Sequence, residues 1–189
     1  MRIIGNAGKA REVQAVASGV LPSGQPVVVN ADGTVSVVGI IEASDSVGSP
    51  TSFGTGAVAY YEGNAAFDPS TGKILFAYGN PSNSQYGTAV IGTITGTAIS
   101  WGSPIVFASE GVDYVVTTYD PDSEKVIIVW RGEGTPYFGR AVVATISGTS
   151  ASFGSTANFG TWLIGDTTVT YDTSSNKAVI GYRDQNNSD

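Results

Sequence analysis

The segment Phe67-Asp68-Pro69-Ser70-Thr71-Gly72-Lys73 returns as Tyr119-Asp120-Pro121-Asp122-Ser123-Glu124-Lys125, and again as Tyr171-Asp172-Thr173-Ser174-Ser175-Asn176-Lys177. The offset is 52 residues both times, without a gap. Aligning residues 67–118 with 119–170 gives 15 identities, ten of them within 86–103 against 138–155. Chance would supply about three over such a length, so the chain carries a true internal repeat, and any fold must be built from its unit.

Each unit resolves into four short strands. The first ends at the aromatic-Asp pair, and a turn such as Asp-Pro-Asp-Ser-Glu reverses the chain. The second, Lys125-Val126-Ile127-Ile128-Val129-Trp130, is apolar without alternation, as expected of a strand buried on both faces. The third spans Ala141 to Ile146. Ser147-Gly148-Thr149 then makes a hairpin turn, and a fourth strand runs from Ala151. Strands rich in Val, Ile, Thr and Tyr, separated by clusters of Gly, Asn, Asp and Ser, fill the remainder. Helical spacing of apolar residues is confined to residues 9–17. The chain reads as all-β.

Four antiparallel strands per unit of this length predict propeller-like blades, with a β-prism or β-solenoid as the alternative. Residues 57–189 hold about 2.5 units, too few to close a ring of 4–8 blades. The repeats are therefore expected to continue beyond Asp189 or to be completed by other chains. Residues 1–42 lack the repeat and read as a small β unit, with Asn30-Ala31-Asp32-Gly33-Thr34 as a hairpin turn. Residues 43–56, rich in Ser, Gly and Thr, read as a linker.

A net charge of −7 argues against a nucleic-acid partner, although Arg2, Lys9 and Arg11 could form a short basic arm. The N-terminus has no apolar signal region, and no apolar run is long enough to insert into a membrane. Synthesis in a cytoplasm without an export signal is expected.

Histidine and cysteine are absent, which removes Ser-His-Asp and Cys-His catalysis and the usual zinc sites. A sialidase-type propeller would need an arginine cluster. Arg131 and Arg183 are equivalent, but the first copy has Gly79 there. Asp120, Asp122 and Glu124 could ligate Ca²⁺, yet the other copies do not repeat the set, and a hairpin turn explains all three. No catalytic residue, metal or cofactor is expected. The binding candidates lie in the loops after each second strand: Asn80 and Asn83; Arg131, Glu133 and Tyr137; Arg183 and Asp184. Tyr86, Phe138, Trp101 and Phe153 belong to the recurrent block and are read as core.

The segment from Leu21 to Val38, Pro-Ser-Gly-Gln-Pro-Val-Val-Val-Asn-Ala-Asp-Gly-Thr-Val-Ser-Val-Val after its leading Leu, resembles N-terminal parts of tail-fibre-like and other virion proteins of marine and cyanobacterial bacteriophages. The units Tyr86 to Ser103 and Tyr171 to Asp184 resemble the repeats that follow in such proteins. The resemblance implies a virion structural protein, a tail-fibre or attachment component made in the host cytoplasm. Its N-terminal part would anchor to other virion proteins, and its repeats would project as a homo-oligomer towards a host-surface glycan or protein. A stand-alone glycan-binding propeller and a capsid decoration protein are the neighbouring possibilities.

Overall fold

The computed structural model describes residues 16–21, 27–37, 48–53, 63–134, 137–160 and 163–186. Arg2, Lys9, Arg11 and most of the stretch read as a linker lie outside them. The chain is all-β and antiparallel in its named strands; among the described residues there is no α-helix and no sheet that closes on itself. No helix among the described residues is long and apolar enough to cross a membrane.

The chain divides into two compact units, Met1–Asp45 and Ser46–Asp189. In the first, β1 (Val27–Val29) pairs antiparallel with β2 (Val35–Val37). Asp32 makes the predicted turn: its carboxylate accepts from the Thr34 amide at 2.9 Å and the Thr34 hydroxyl at 2.7 Å, and Gly33 takes φ 81°. A side chain other than glycine is strained in that left-handed conformation. Val35 is buried, and its backbone also bonds to Val16 and Ser18.

In the larger unit the strands recur with the sequence period. The first repeat contains β3 (Gly63–Asp68), β4 (Lys73–Asn80), β5 (Tyr86–Thr95) and β6 (Ala98–Trp101). The long strand β7 (Ile105–Asp120) follows, and then β8 (Lys125–Gly132), β9 (Gly139–Ser147), β10 (Ser150–Phe153) and β11 (Ala157–Phe159). The third copy contributes β12 (Ile164–Asp172) and β13 (Lys177–Asp184). Strands β4, β8 and β13 begin at Lys73, Lys125 and Lys177 and stop at residues 80, 132 and 184, 52 apart each time.

The fourth strand differs from expectation in having two pieces. β6 pairs with one end of β5, the Gly102 amide bonds to the Ile91 carbonyl, and the first half of β7 pairs with the other end of β5. β10, Gly154 and β11 repeat this along β9. β7 then changes sheets. Its second half, from Val112, pairs with β8 as the first strand of the second repeat. One strand thus ends one repeat and opens the next.

Strand pairing puts alternate residues on opposite sides. Here the front of a repeat is the side carrying Leu75, Ala77, Ala89 and Ile91 in the first copy. The back carries Ile74, Phe76, Tyr78 and Val90. The main core joins the front of the first repeat to the back of the second: Ala66, Leu75, Ala77, Ala89 and Ile91 share one buried cluster with Val126, Ile128, Trp130, Val142, Ala144 and Ile146. Val129, on the opposite side of β8, is also fully buried, so the unalternated apolar run is covered on both faces.

One aromatic pair marks each step of the stack. Phe53 meets Tyr78 with ring centroids 5.4 Å apart, Phe107 meets Trp130 at 5.1 Å, and Phe159 meets Tyr182 at 5.6 Å. Residues 48–53 take part in this packing, since the Thr51 hydroxyl bonds to the Ile99 carbonyl and accepts from the Trp101 indole. Phe153 packs against the main core, and Trp101 meets Phe53 in a tilted ring contact, in keeping with their recurrent positions. Tyr86 and Phe138 are half-buried.

Candidate functional site

The three Asp turns are alike in construction. The Asp68 carboxylate accepts from the Ser70 amide and hydroxyl and from the Thr71 hydroxyl, at 2.9, 2.7 and 2.7 Å. Asp120 accepts from the Asp122 and Ser123 amides at 3.0 and 3.2 Å and from the Ser123 hydroxyl at 2.7 Å. Asp172 repeats the pattern with Ser174 and Ser175. Gly72, Glu124 and Asn176 each close the turn at positive φ, 67°, 56° and 54°. Burial alone would raise the Asp68 and Asp120 carboxyls, but these hydrogen bonds outweigh it and hold both below the usual range. The Ser174 hydroxyl, followed by that of Ser175, lowers Asp172 to about 2. The carboxylates are thus committed to the amides and hydroxyls of their own turns, and among the described residues no three acidic groups gather as cation ligands.

The richest polar cluster lies where β7 enters the second repeat. The register of β7 on β8 shifts between Asp113 and Val116, and Tyr114 takes φ 51°. The same irregularity recurs in the third copy between Gly165 and Thr168, with Asp166 at φ 40°. Left-handed backbone at non-glycine residues costs about 1–2 kcal/mol, so packing must hold it in place at both sites.

At this bulge Arg131 is paired with Asp113, and its Nη1 reaches the Ile164 carbonyl at 3.5 Å. Its guanidinium lies over the Tyr114 ring, 4.7 Å from the centroid, and over Tyr137 at 5.3 Å. Two rings on one cation give a stacked, orientated guanidinium that a lysine would not reproduce. The Glu133 amide bonds to the Gly111 carbonyl at 2.8 Å. Its carboxylate lies against Gly111, where any side chain would collide with it. Desolvation, then the neighbouring Asp113 charge, raises the Glu133 carboxyl, while Arg131 pulls it down. Nearby, Glu110 accepts from the Trp130 indole at 3.2 Å and pairs with Arg140.

The remaining predicted residues lie at other steps of the repeat. Asn80 caps a single 3-10 turn, Pro81–Asn83, by accepting from the Ser82 amide at 3.0 Å, and Asn83 is exposed. Ser84 and Gln85 follow at φ 52° and 61°. Arg183 pairs with Asp166 at 3.0 Å, both being largely exposed, and Asp184 accepts from the Asn186 amide at 3.0 Å. Arg131, Glu133 and Tyr137 therefore share one site, whereas Asn80 and Asn83 belong to the first repeat and Arg183 and Asp184 to the third.

Sequence reasoning missed Asp113, Tyr114, Glu110 and Arg140. Asp113 aligns with Gly165 and Arg140 with Thr88, so the repeat carries no signal for them. A strained bulge shared by Tyr114 and Asp166 links the copies, with an Arg–Asp pair beside it in each, and no residue type announces the bulge.

Comparison with protein-family models, with curated proteins and with solved structures finds no match to this chain.

Proposed function

We propose that this chain is a non-enzymatic structural module, a virion component of tail-fibre or attachment type, whose repeats are propeller-like blades. The observation that carries the reading is the stacking of the first repeat's front on the second repeat's back, with an aromatic pair against Tyr78, Trp130 and Tyr182 in turn. Blades of a propeller pack face to face in this way around their first strands. The first strands here are neighbours too. Asn64 of β3 accepts from Thr117 of β7, and the Thr167 hydroxyl of β12 bonds to the Tyr114 carbonyl. The virion assignment rests on the resemblance of the segment Leu21 to Val38, whose role would be anchoring to other virion proteins.

Immunogold labelling of purified phage particles with an antibody to the chain tests this reading. Label on the tail or its fibres is the expected result. Label confined to host cells, with none on particles, would overturn it.

A second reading, a glycan-binding propeller, is favoured by the Tyr114–Arg131–Tyr137 stack, because an exposed tyrosine over an orientated guanidinium offers a stacking plane and donors to a sugar. Screening on a glycan array checks it. A specific signal should disappear in Tyr137→Ala, and an array without signal removes this reading while leaving the structural one.

A further inference from the structure

A six-residue pattern recurs at a spacing that the 52-residue alignment passes over. Gly48-Ser49-Pro50-Thr51-Ser52-Phe53 returns 54 residues later as Gly102-Ser103-Pro104-Ile105-Val106-Phe107. A third copy, Gly154-Ser155-Thr156-Ala157-Asn158-Phe159, keeps the Gly, the Ser and the Phe. In the last two copies the pattern forms the closing piece of a repeat: the start of β7, which pairs with β5, and the strand β11, which pairs with β9.

Residues 48–53 sit on the first repeat as residues 102–107 sit on the second. A side chain at Gly102 would collide with the Thr149 carbonyl. One at Gly48 would collide with the carbonyl of Thr97, the residue equivalent to Thr149. Phe107 meets Trp130 and Phe153, with ring centroids 5.1 and 6.0 Å apart. Phe53 meets their equivalents, Tyr78 and Trp101, at 5.4 and 5.1 Å. Tyr78 and Val90 are buried on the back of the first repeat, as Trp130 and Val142 are on the back of the second.

The mode of attachment differs. Ile105–Ala108 and Ala157–Phe159 belong to hydrogen-bonded ladders, whereas among the described residues 48–53 join none. Side chains hold them instead. The Phe53 ring packs on Phe76, Tyr78 and Trp101, and the Thr51 hydroxyl donates to the Ile99 carbonyl and accepts from the Trp101 indole, both at 3.2 Å and both in exposed positions. A segment fixed in this way can open without breaking a sheet, and its opening bares an aromatic face.

We propose that residues 48–53 are a detachable strap: they hold the place of a preceding repeat's closing strand and seal the aromatic back of the first repeat. The strap is separate from the Arg131 stack and depends on neither the virion nor the glycan reading.

The test is thermal unfolding of the 189-residue chain and its variants, followed by tryptophan fluorescence, together with binding of an apolar dye and hydrogen exchange. Gly48→Ala and Gly102→Ala should each lower the midpoint by at least about 2 °C, since each added methyl group meets a carbonyl of the next repeat. Gly154→Ala is the control. Its nearest neighbour would be the Val143 carbonyl at 3.7 Å, so the midpoint should stay within about 1 °C. Phe53→Ser should raise dye binding about twofold or more while keeping the circular dichroism spectrum of the parent. Phe53→Ser combined with Tyr78→Ala should lose less than the sum of the single losses. In the unaltered chain, the amides of Thr51, Ser52 and Phe53 should exchange about tenfold faster than those of Ile105, Val106 and Phe107. Parental midpoint and dye binding in both Gly48→Ala and Phe53→Ser would overturn the proposal, because a plain linker gives that result. Additive losses at Phe53 and Tyr78, or equal exchange in the two segments, would overturn it as well.

Discussion

The Asn64 side-chain oxygen accepts two hydrogen bonds from Thr117, 3.0 Å from its amide and 2.7 Å from its hydroxyl, and so ties the first strand of one repeat to that of the next. The contact is half-buried, and removing the acceptor leaves the Thr117 amide without a partner. Asn64→Ala should therefore cost about 1–3 kcal/mol, read as a lower urea midpoint. Asn64→Asp keeps an acceptor and should cost less. Equal losses in the two variants would show that the amide group matters for another reason.

Acid should weaken the turn carboxylates. Asp172 is held at about 2 by the Ser174 and Ser175 hydroxyls, below its ordinary value of 3.8. Asp68 and Asp120 are shifted the same way. A depressed folded-state value means that the stabilisation is present above about pH 4 and is lost as pH falls towards 2. Thermal midpoints should decline over that window, and Asp172→Asn should flatten part of the decline. An unchanged profile in that variant would contradict the assignment.

Glu124 occupies the left-handed position where the first repeat has Gly72, with φ 56° against 67°. Glycine carries no steric penalty there. Glu124→Gly should raise stability by up to about 1 kcal/mol, despite greater freedom of the unfolded chain. A differential scanning measurement showing destabilisation would indicate that the Glu124 side chain has a role that the turn does not reveal.

Gly87 lies beneath the Phe107 ring, and a Cβ added there would stand 2.5 Å from it. Gly87→Ala should cost about 1–3 kcal/mol through overpacking. Pairing it with Phe107→Leu should give a combined loss smaller than the sum, because the smaller side chain makes room. Simple additivity in denaturant unfolding would separate the two residues.

Much of this architecture was legible because the repeat carries its own markers. Lys73, Lys125 and Lys177 open equivalent strands, and the Asp turns precede them at fixed spacing. The buried run from Val126 to Trp130 announced two covered faces. The split fourth strand was not legible, since Gly102 and Gly154 read as ordinary turn residues while their amides continue the ladder. Nor was the passage of β7 between sheets, because Ser109-Glu110-Gly111 carries the polar and glycine content of a loop. At the candidate site, Arg131, Glu133 and Tyr137 were found from loop position and residue type. Asp113 and Tyr114 were not, because a bulge in a strand depends on register, which only the partner strand β8 defines.

The single strand β7 has a mechanical consequence. Being hydrogen-bonded to β5 over one half and to β8 over the other, it cannot leave one sheet without loosening the other. The first two repeats should then melt as one cooperative block instead of peeling away in series. Tension applied along the array would be carried by a continuous ribbon of backbone, as in a chain whose links share a bar.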